Sequence, residues 1–123
     1  MAIAGMTRIG TASLTATHWV AIGLAALSGL IHLLLAAIVP ATGLRTSFLL
    51  AGLGFFGAIG LVLLDYRRRL LYLIGIPFVG VQIVLWYLVV EPTVATLHVL
   101  DAIDKTAQIV LLVLLVYLYS ADR

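Results

Sequence analysis

Apolar residues gather along this chain into four blocks, and polar residues are mostly confined to the short breaks between them. The blocks are "HWVAIGLAALSGLIHLLLAAIV" (18–39), "TSFLLAGLGFFGAIGLVLL" (46–64), "LLYLIGIPFVGVQIVLWYLVV" (70–90) and a run from 95 to 119. A helix needs about 20 mostly apolar residues to cross the hydrocarbon core of a bilayer, and each block has that length. The breaks are "PATGLR", "DYRRR" and "EPT". Pro92 ends the third helix at or before the residue preceding it. Connections this short lay consecutive helices side by side with alternating direction. The expected fold is therefore all-α: an integral membrane protein forming an antiparallel up-down four-helix transmembrane bundle, one domain over 1–123.

Lipid supplies no hydrophobic force between helices, so close backbone approach and interhelical polar contacts hold such a bundle together. At 100° per residue, His18, Ala21, Ala25, Ser28, Gly29, His32 and Ala36 share one face of the first span. In the second span the shared face is Ala51, Gly54, Gly57, Ala58 and Asp65, and in the third Gly75, Phe78, Gln82 and Trp86. The fourth is the unusual one. His98, Asp101, Lys105 and Gln108 fall within about an 80° arc, with Asp104 at its edge. A charge at mid-bilayer costs roughly 3 kcal/mol or more, so such groups turn to the bundle interior or to water, and they pair.

At about 1.5 Å per residue, Gln108 and Gln82 lie roughly 16–18 Å from the inner ends of their spans, His32, Asp104 and Lys105 roughly 21–22 Å, and Trp86 about 24 Å. The polar faces are nearly level. Their convergence would form one cluster in the outer half of the bundle: His32, Gln82, Trp86, Asp101, Asp104, Lys105 and Gln108. It would open outward past His98 and Glu91. A plainer arrangement stands beside it. Asp101 and Lys105 are four apart and can neutralise each other. If the span starts later, Asp101 and Asp104 become an exposed helix cap, where acids suit the positive N-terminal end.

Composition agrees with the bilayer. Apolar residues make up 64% of the 123 residues and charged residues 10%, against roughly 25% charged in soluble domains; the mean hydropathy is +1.26. A net charge of +2 rests on few residues and leaves no nucleic-acid footprint. Alternating spans put Arg8, Arg67, Arg68, Arg69 and Arg123 on one side and Arg45 on the other. The positive-inside rule then assigns both termini and the 65–69 turn to the cytoplasm. The first apolar run is span-length and lacks a persuasive cleavage site, so it is read as a membrane helix rather than a signal peptide.

The absence of cysteine excludes disulfides, thiolate catalysis and Cys-ligated metal. No HExxH, nucleophile triad or phosphate loop appears, so no catalytic residue is assigned and an enzyme is not expected. His18 and His32, fourteen apart on one helix, have the spacing used by multi-haem b cytochromes. Since His98 alone remains in the chain, a haem b reading needs a homo-oligomer that pairs histidines across protomers. Proton-coupled transport is a further alternative, because a histidine beside carboxylates titrates near neutral pH. Past Gln108, however, the same stripe offers only Leu and Val.

The blocks "FLLAGLGFFGAIGLVLLDYRRRLLYLIGIPFVGVQIVLWY" (48–87) and "DKTAQIVLLVLLV" (104–116), with "SGLIHL" (28–33), resemble an uncharacterised family of small four-span membrane proteins of haloarchaea. The "LLDYRRRLLYL" turn is the most specific part. The resemblance implies four spans in an archaeal plasma membrane and carries over no site residue. The expectation is thus a non-enzymatic, multi-pass protein of the lipid bilayer. It would act as a homo-oligomer or as an accessory subunit of a larger membrane complex, with an outward-facing polar pocket for a lipid, a quinone-like molecule or an ion.

Overall fold

The computed structural model describes residues 11–40, 42–90 and 98–121. Four helices make up the described chain: α1 (Ala16–Ile38), α2 (Thr42–Leu63), α3 (Arg68–Val90) and α4 (Val99–Ala121). Three of them, α1, α2 and α3, are long and apolar enough to cross a membrane. The fourth has the same length as α1, but its opening turns hold Asp101, Asp104, Lys105 and Gln108. Arg8, Arg123, Glu91 and residues 95–97, which entered the expectations for orientation, pocket mouth and span boundary, lie outside the described residues.

Local chemistry sets the ends. Thr15 caps α1 in an extended conformation, and His18 at the third helical position reaches back to it, as Glu or Gln does in the usual capping box. The Thr15 N–H donates to His18 Nδ1 at 3.0 Å, and the Thr15 hydroxyl lies 2.8 Å from the same nitrogen. Val39 turns extended at the far end, as the residue before a proline prefers to do. α2 closes through bonds from Leu64 N to Gly60 O and from Tyr66 N to Leu61 O. The turn that follows holds two non-glycine residues in the left-handed region, Asp65 at φ 56° and Arg67 at φ 49°. Pro77 sits inside α3, which continues through it.

The helices are unequally joined. α1 packs along both α2 and α4, α3 packs along α4, and α2 meets α3 at few points. The core consists of Ala21, Phe55, Tyr72, Val79, Leu111 and Leu118. Around it the outer faces are apolar and open: Leu50, Leu88, Val89 and Val113 are 63–71% exposed. Among the described residues, charged side chains cluster in the turn after α2 and in the first turns of α4. This inverts the partition of a protein folded in water and suits a hydrocarbon surround.

The face of α1 is as the periodicity predicts, with Ala21, Ser28, Gly29, His32 and Ala36 buried. That of α2 is not. Its buried residues are Gly52 and Phe55, whereas Gly57 and Asp65 of the expected stripe are exposed and Ala51, Gly54 and Ala58 only half-buried. Glycines at 52, 54, 57 and 60 lie on several sides of the helix, so small size alone does not choose a contact face. Close approach to α1 chooses it. A Cβ on Gly52 would come within 2.6 Å of Leu33 Cδ2 and 3.0 Å of the Gly29 carbonyl oxygen, while one on Gly57 would meet nothing within 4 Å.

Gly52→Ala is therefore expected to destabilise the α1–α2 packing by about 1–3 kcal/mol through overpacking, and Gly57→Ala to leave stability unchanged or slightly raised. Thermal unfolding of the two variants in detergent checks the contrast.

Candidate functional site

A hydrogen-bonded network buried between α1, α3 and α4 joins Ser28, His32, Gln82, Asp104, Lys105 and Gln108. It begins with the ion pair. Lys105 Nζ donates to Asp104 Oδ2 at 2.9 Å and to Gln108 Oε1 at 2.9 Å. The other carboxylate oxygen of Asp104 accepts from the Ser28 hydroxyl at 2.5 Å, which fastens α4 to α1. Gln108 uses both its amide hydrogens, one to Ser28 Oγ at 3.2 Å and one to Gln82 Oε1 at 2.9 Å. Gln82 then donates to the Phe78 carbonyl within α3 at 3.0 Å. His32 Nδ1 donates to the Ser28 carbonyl at 2.7 Å and lies 3.9 Å from Asp104 Oδ1, its ring between those of Phe48 and Phe55.

Burial makes these bonds matter. Ser28 and Gln108 have no exposed surface, and Asp104, His32 and Lys105 retain 3–8%. Charges moved out of water need both a counter-charge and bonds to their remaining donors and acceptors. Here Asp104 and Lys105 cancel each other, and Ser28 and Gln108 supply the rest. The stripe works because α4 presents 104, 105 and 108 toward α1 and α3 together.

Of the seven residues expected to converge, His32, Gln82, Trp86, Asp104, Lys105 and Gln108 do so. Trp86 stands at the edge, with Lys105 Nζ 5.8 Å from the centre of its ring. Its indole Nε1 is buried and has no hydrogen-bond partner among the described residues. Asp101 is set apart in the first turn of α4, half-buried. The expected pairing of Asp101 with Lys105 is replaced by the adjacent Asp104, because the Lys105 stem turns inward toward Gln108. The exposed-cap alternative accordingly divides: Asp101 sits at the helix start, and Asp104 does not. Ser28 is a network member that periodicity had put on the α1 face without assigning it to the site. Its position four residues before His32 was the available signal.

The three histidines do not converge. His98 is exposed at the start of α4, where its Nδ1 accepts from Leu100 N at 3.3 Å. His18 Nδ1 likewise accepts a backbone N–H. A neutral ring that accepts at Nδ1 carries its proton on Nε2, whereas a metal-bound histidine normally donates from the nitrogen not on the metal. Only His32, which donates from Nδ1, has the arrangement a haem iron would use. His18 and His32 thus engage Nδ1 in opposite senses, the first as acceptor and the second as donor. Among the described residues no group of three or more His, Asp or Glu is placed to hold a metal ion.

On the side of the network toward the α2–α3 turn lies a partly open apolar cavity of about 80 Å³ lined by all four helices. Small residues on its walls, Ala21, Ala25, Ala58 and Gly75, leave the room. Phe55 and Phe78, in edge-to-face contact at 5.1 Å, separate it from the polar half.

A cycle on the ion pair tests how the network is held. Asp104→Leu and Lys105→Met each strand one buried charge and are expected to cost about 3–5 kcal/mol. The double variant strands neither and is expected to be more stable than either single one. Chemical unfolding of the four proteins in mixed micelles measures the coupling.

Comparison with curated proteins and with solved structures finds no match. A family model described as a family of unknown function, DUF7475, matches residues 6–119, and the chain accordingly belongs to that family.

Proposed function

We propose that this chain is a four-span integral membrane protein of an archaeal plasma membrane, an antiparallel up-down bundle with both termini in the cytoplasm. It acts without catalysis, as a homo-oligomeric or accessory subunit that holds a lipophilic molecule by a polar head in the outer half of the bundle. The alternation of direction is supported by the order of contacts. Gly29 approaches Phe55 while Gly52 approaches Leu33, and Arg69 stacks on Tyr119 while Gln82 bonds Gln108. A fourth span is supported by the inward turn of its charged residues, which leaves Ile109, Val110, Val113 and Val116 facing outward.

The observation that carries the ligand reading is the unpartnered indole N–H of Trp86 beside the Lys105 ammonium. Leaving a buried donor unbonded costs about 1–3 kcal/mol. The oxygens of Asp104, Gln82 and Gln108 are already engaged, so the surplus capacity of the site is for donating. Its ligand is an acceptor, such as a quinone-like carbonyl or the phosphate oxygen of a lipid headgroup. A cation would be repelled by Lys105. Proton transfer through the bundle has less support, because the α4 stripe continues inward from Gln108 as Leu111, Leu115 and Leu118.

In Trp19→Phe protein, Trp86 is the sole tryptophan. Titration with a short-chain benzoquinone is expected to change its emission saturably. Trp86→Phe keeps a ring and deletes the N–H, and is expected to weaken retention of the same molecule in native mass spectra about tenfold, the equivalent of 1.4 kcal/mol. No saturable response to the quinone, or equal retention by Trp86→Phe, sinks the reading.

A further inference from the structure

The loosest seam of the fold points to a second occupant at the opposite end of the bundle. α2 and α3 meet where Phe78 closes on Gly54; a Cβ on Gly54 would lie 2.9 Å from Phe78 Cζ. On the side of Phe78 that leads to the connecting turn, they contribute Ala58, Ile59 and Val62 from α2 and Leu71 and Gly75 from α3 to the cavity wall. Few other contacts close this seam, so the cavity forms a slot between the two helices. From Leu71 to Phe78 it follows about 10 Å of α3 at the rise of a helix. Its wall is hydrocarbon and aromatic rings, broken by His18 and Tyr72.

The turn at the end of that slot is basic and strained. Val62 and Leu71 line the cavity, and Arg67, Arg68 and Arg69 lie between them in sequence. Arg68 is buried and committed: it donates to the Val62 carbonyl and the Ser13 hydroxyl and pairs with Asp65 at 3.3 Å. It braces the turn. Arg67 differs. It is exposed, has no acidic partner among the described residues, rests only against the Tyr66 ring at 5.6 Å, and is held at φ 49°. A left-handed conformation at a non-glycine residue is unfavourable and persists where the surrounding structure imposes it. Arg69, stacked on Tyr119 at 4.0 Å, adds a second positive charge on the same turn. Arginine matches phosphate oxygens through its planar fork of donors.

We propose that an anionic phospholipid occupies this seam. One of its hydrocarbon chains runs along the seam between α2 and α3, with a few carbons entering the cavity, and its phosphate is held by Arg67 with Arg69 alongside. Chain and headgroup are recognised by adjoining features, an apolar groove and a cationic turn at its end. That is charge complementarity with a lipid and with no soluble anion, which would leave the slot unfilled. The inference rests on the four-span reading but not on the Trp86–Lys105 site.

The full-length protein in neutral detergent, examined by native mass spectrometry, tests it with phosphatidylglycerol against phosphatidylcholine of the same chains. The parent is expected to retain one phosphatidylglycerol at least tenfold more strongly than phosphatidylcholine. Arg67→Gln, at an exposed position, is expected to remove that preference. Ala58→Leu, which fills the slot, is expected to weaken retention of both lipids, with circular dichroism confirming that it folds. Trp86→Phe is expected to bind phosphatidylglycerol like the parent, which separates this site from the other. Equal retention of the two lipids by the parent, or an unchanged preference in Arg67→Gln, overturns the proposal. So does parent-like retention by folded Ala58→Leu.

Discussion

The neutralisation of Lys105 by Asp104 inside the bundle is the interaction on which the rest of the structure depends. The two residues are neighbours on one helix, so the charges cancel without help from another element. Their remaining hydrogen-bonding capacity is not met within α4. The second carboxylate oxygen of Asp104 is satisfied by Ser28 of α1, and Gln108, which shares Lys105, completes its own bonds with Ser28 and with Gln82 of α3. Buried as they are, such groups have no water to fall back on. The need to satisfy them gathers α1 and α3 onto α4.

That requirement also explains what α2 does not do. Its inward side carries glycine, alanine and phenylalanine, and none of the network bonds reaches it. It is held to α1 by a bond from Arg45 to the Ala36 carbonyl at one end and otherwise by shape, with Gly29 and Gly52 allowing the backbones together. Between α2 and α3 the bond from Arg68 to the Val62 carbonyl ties only the end at the turn, and there is no long run of close packing. The helices thus have two unlike ends: a hydrogen-bonded one around Asp104 and Lys105, and one beside the α2–α3 turn where small side chains leave an apolar slot. Phe55 and Phe78 divide them.

Much of this was legible in the residues. The order and extent of the helices followed from the apolar blocks and the Pro and Gly breaks, and differ by a few residues at most described ends. The polar stripe of α4 and its level with His32, Gln82 and Trp86 followed from the period and rise of a helix. Less was legible where a local rule did not decide the contact. Spacing pairs Lys105 with Asp101, four residues away, and gives no reason to choose the adjacent Asp104, which the lean of the lysine toward Gln108 selects. Ser28 read as a small residue suited to packing, and its hydroxyl became essential only once Asp104 and Gln108 stood opposite.

The sequence by itself determined four helices, their apolar exteriors and a single polar face on the last, because periodicity and transfer energy act on each segment alone. Tertiary structure decided which acid serves the lysine, that α2 turns Gly52 and Phe55 inward in place of its other glycines, that Trp86 keeps an unbonded indole N–H, and that the α2–α3 seam stays open. Each of these depends on two helices meeting at a given height and rotation, and a residue's own neighbours in the chain carry no record of that.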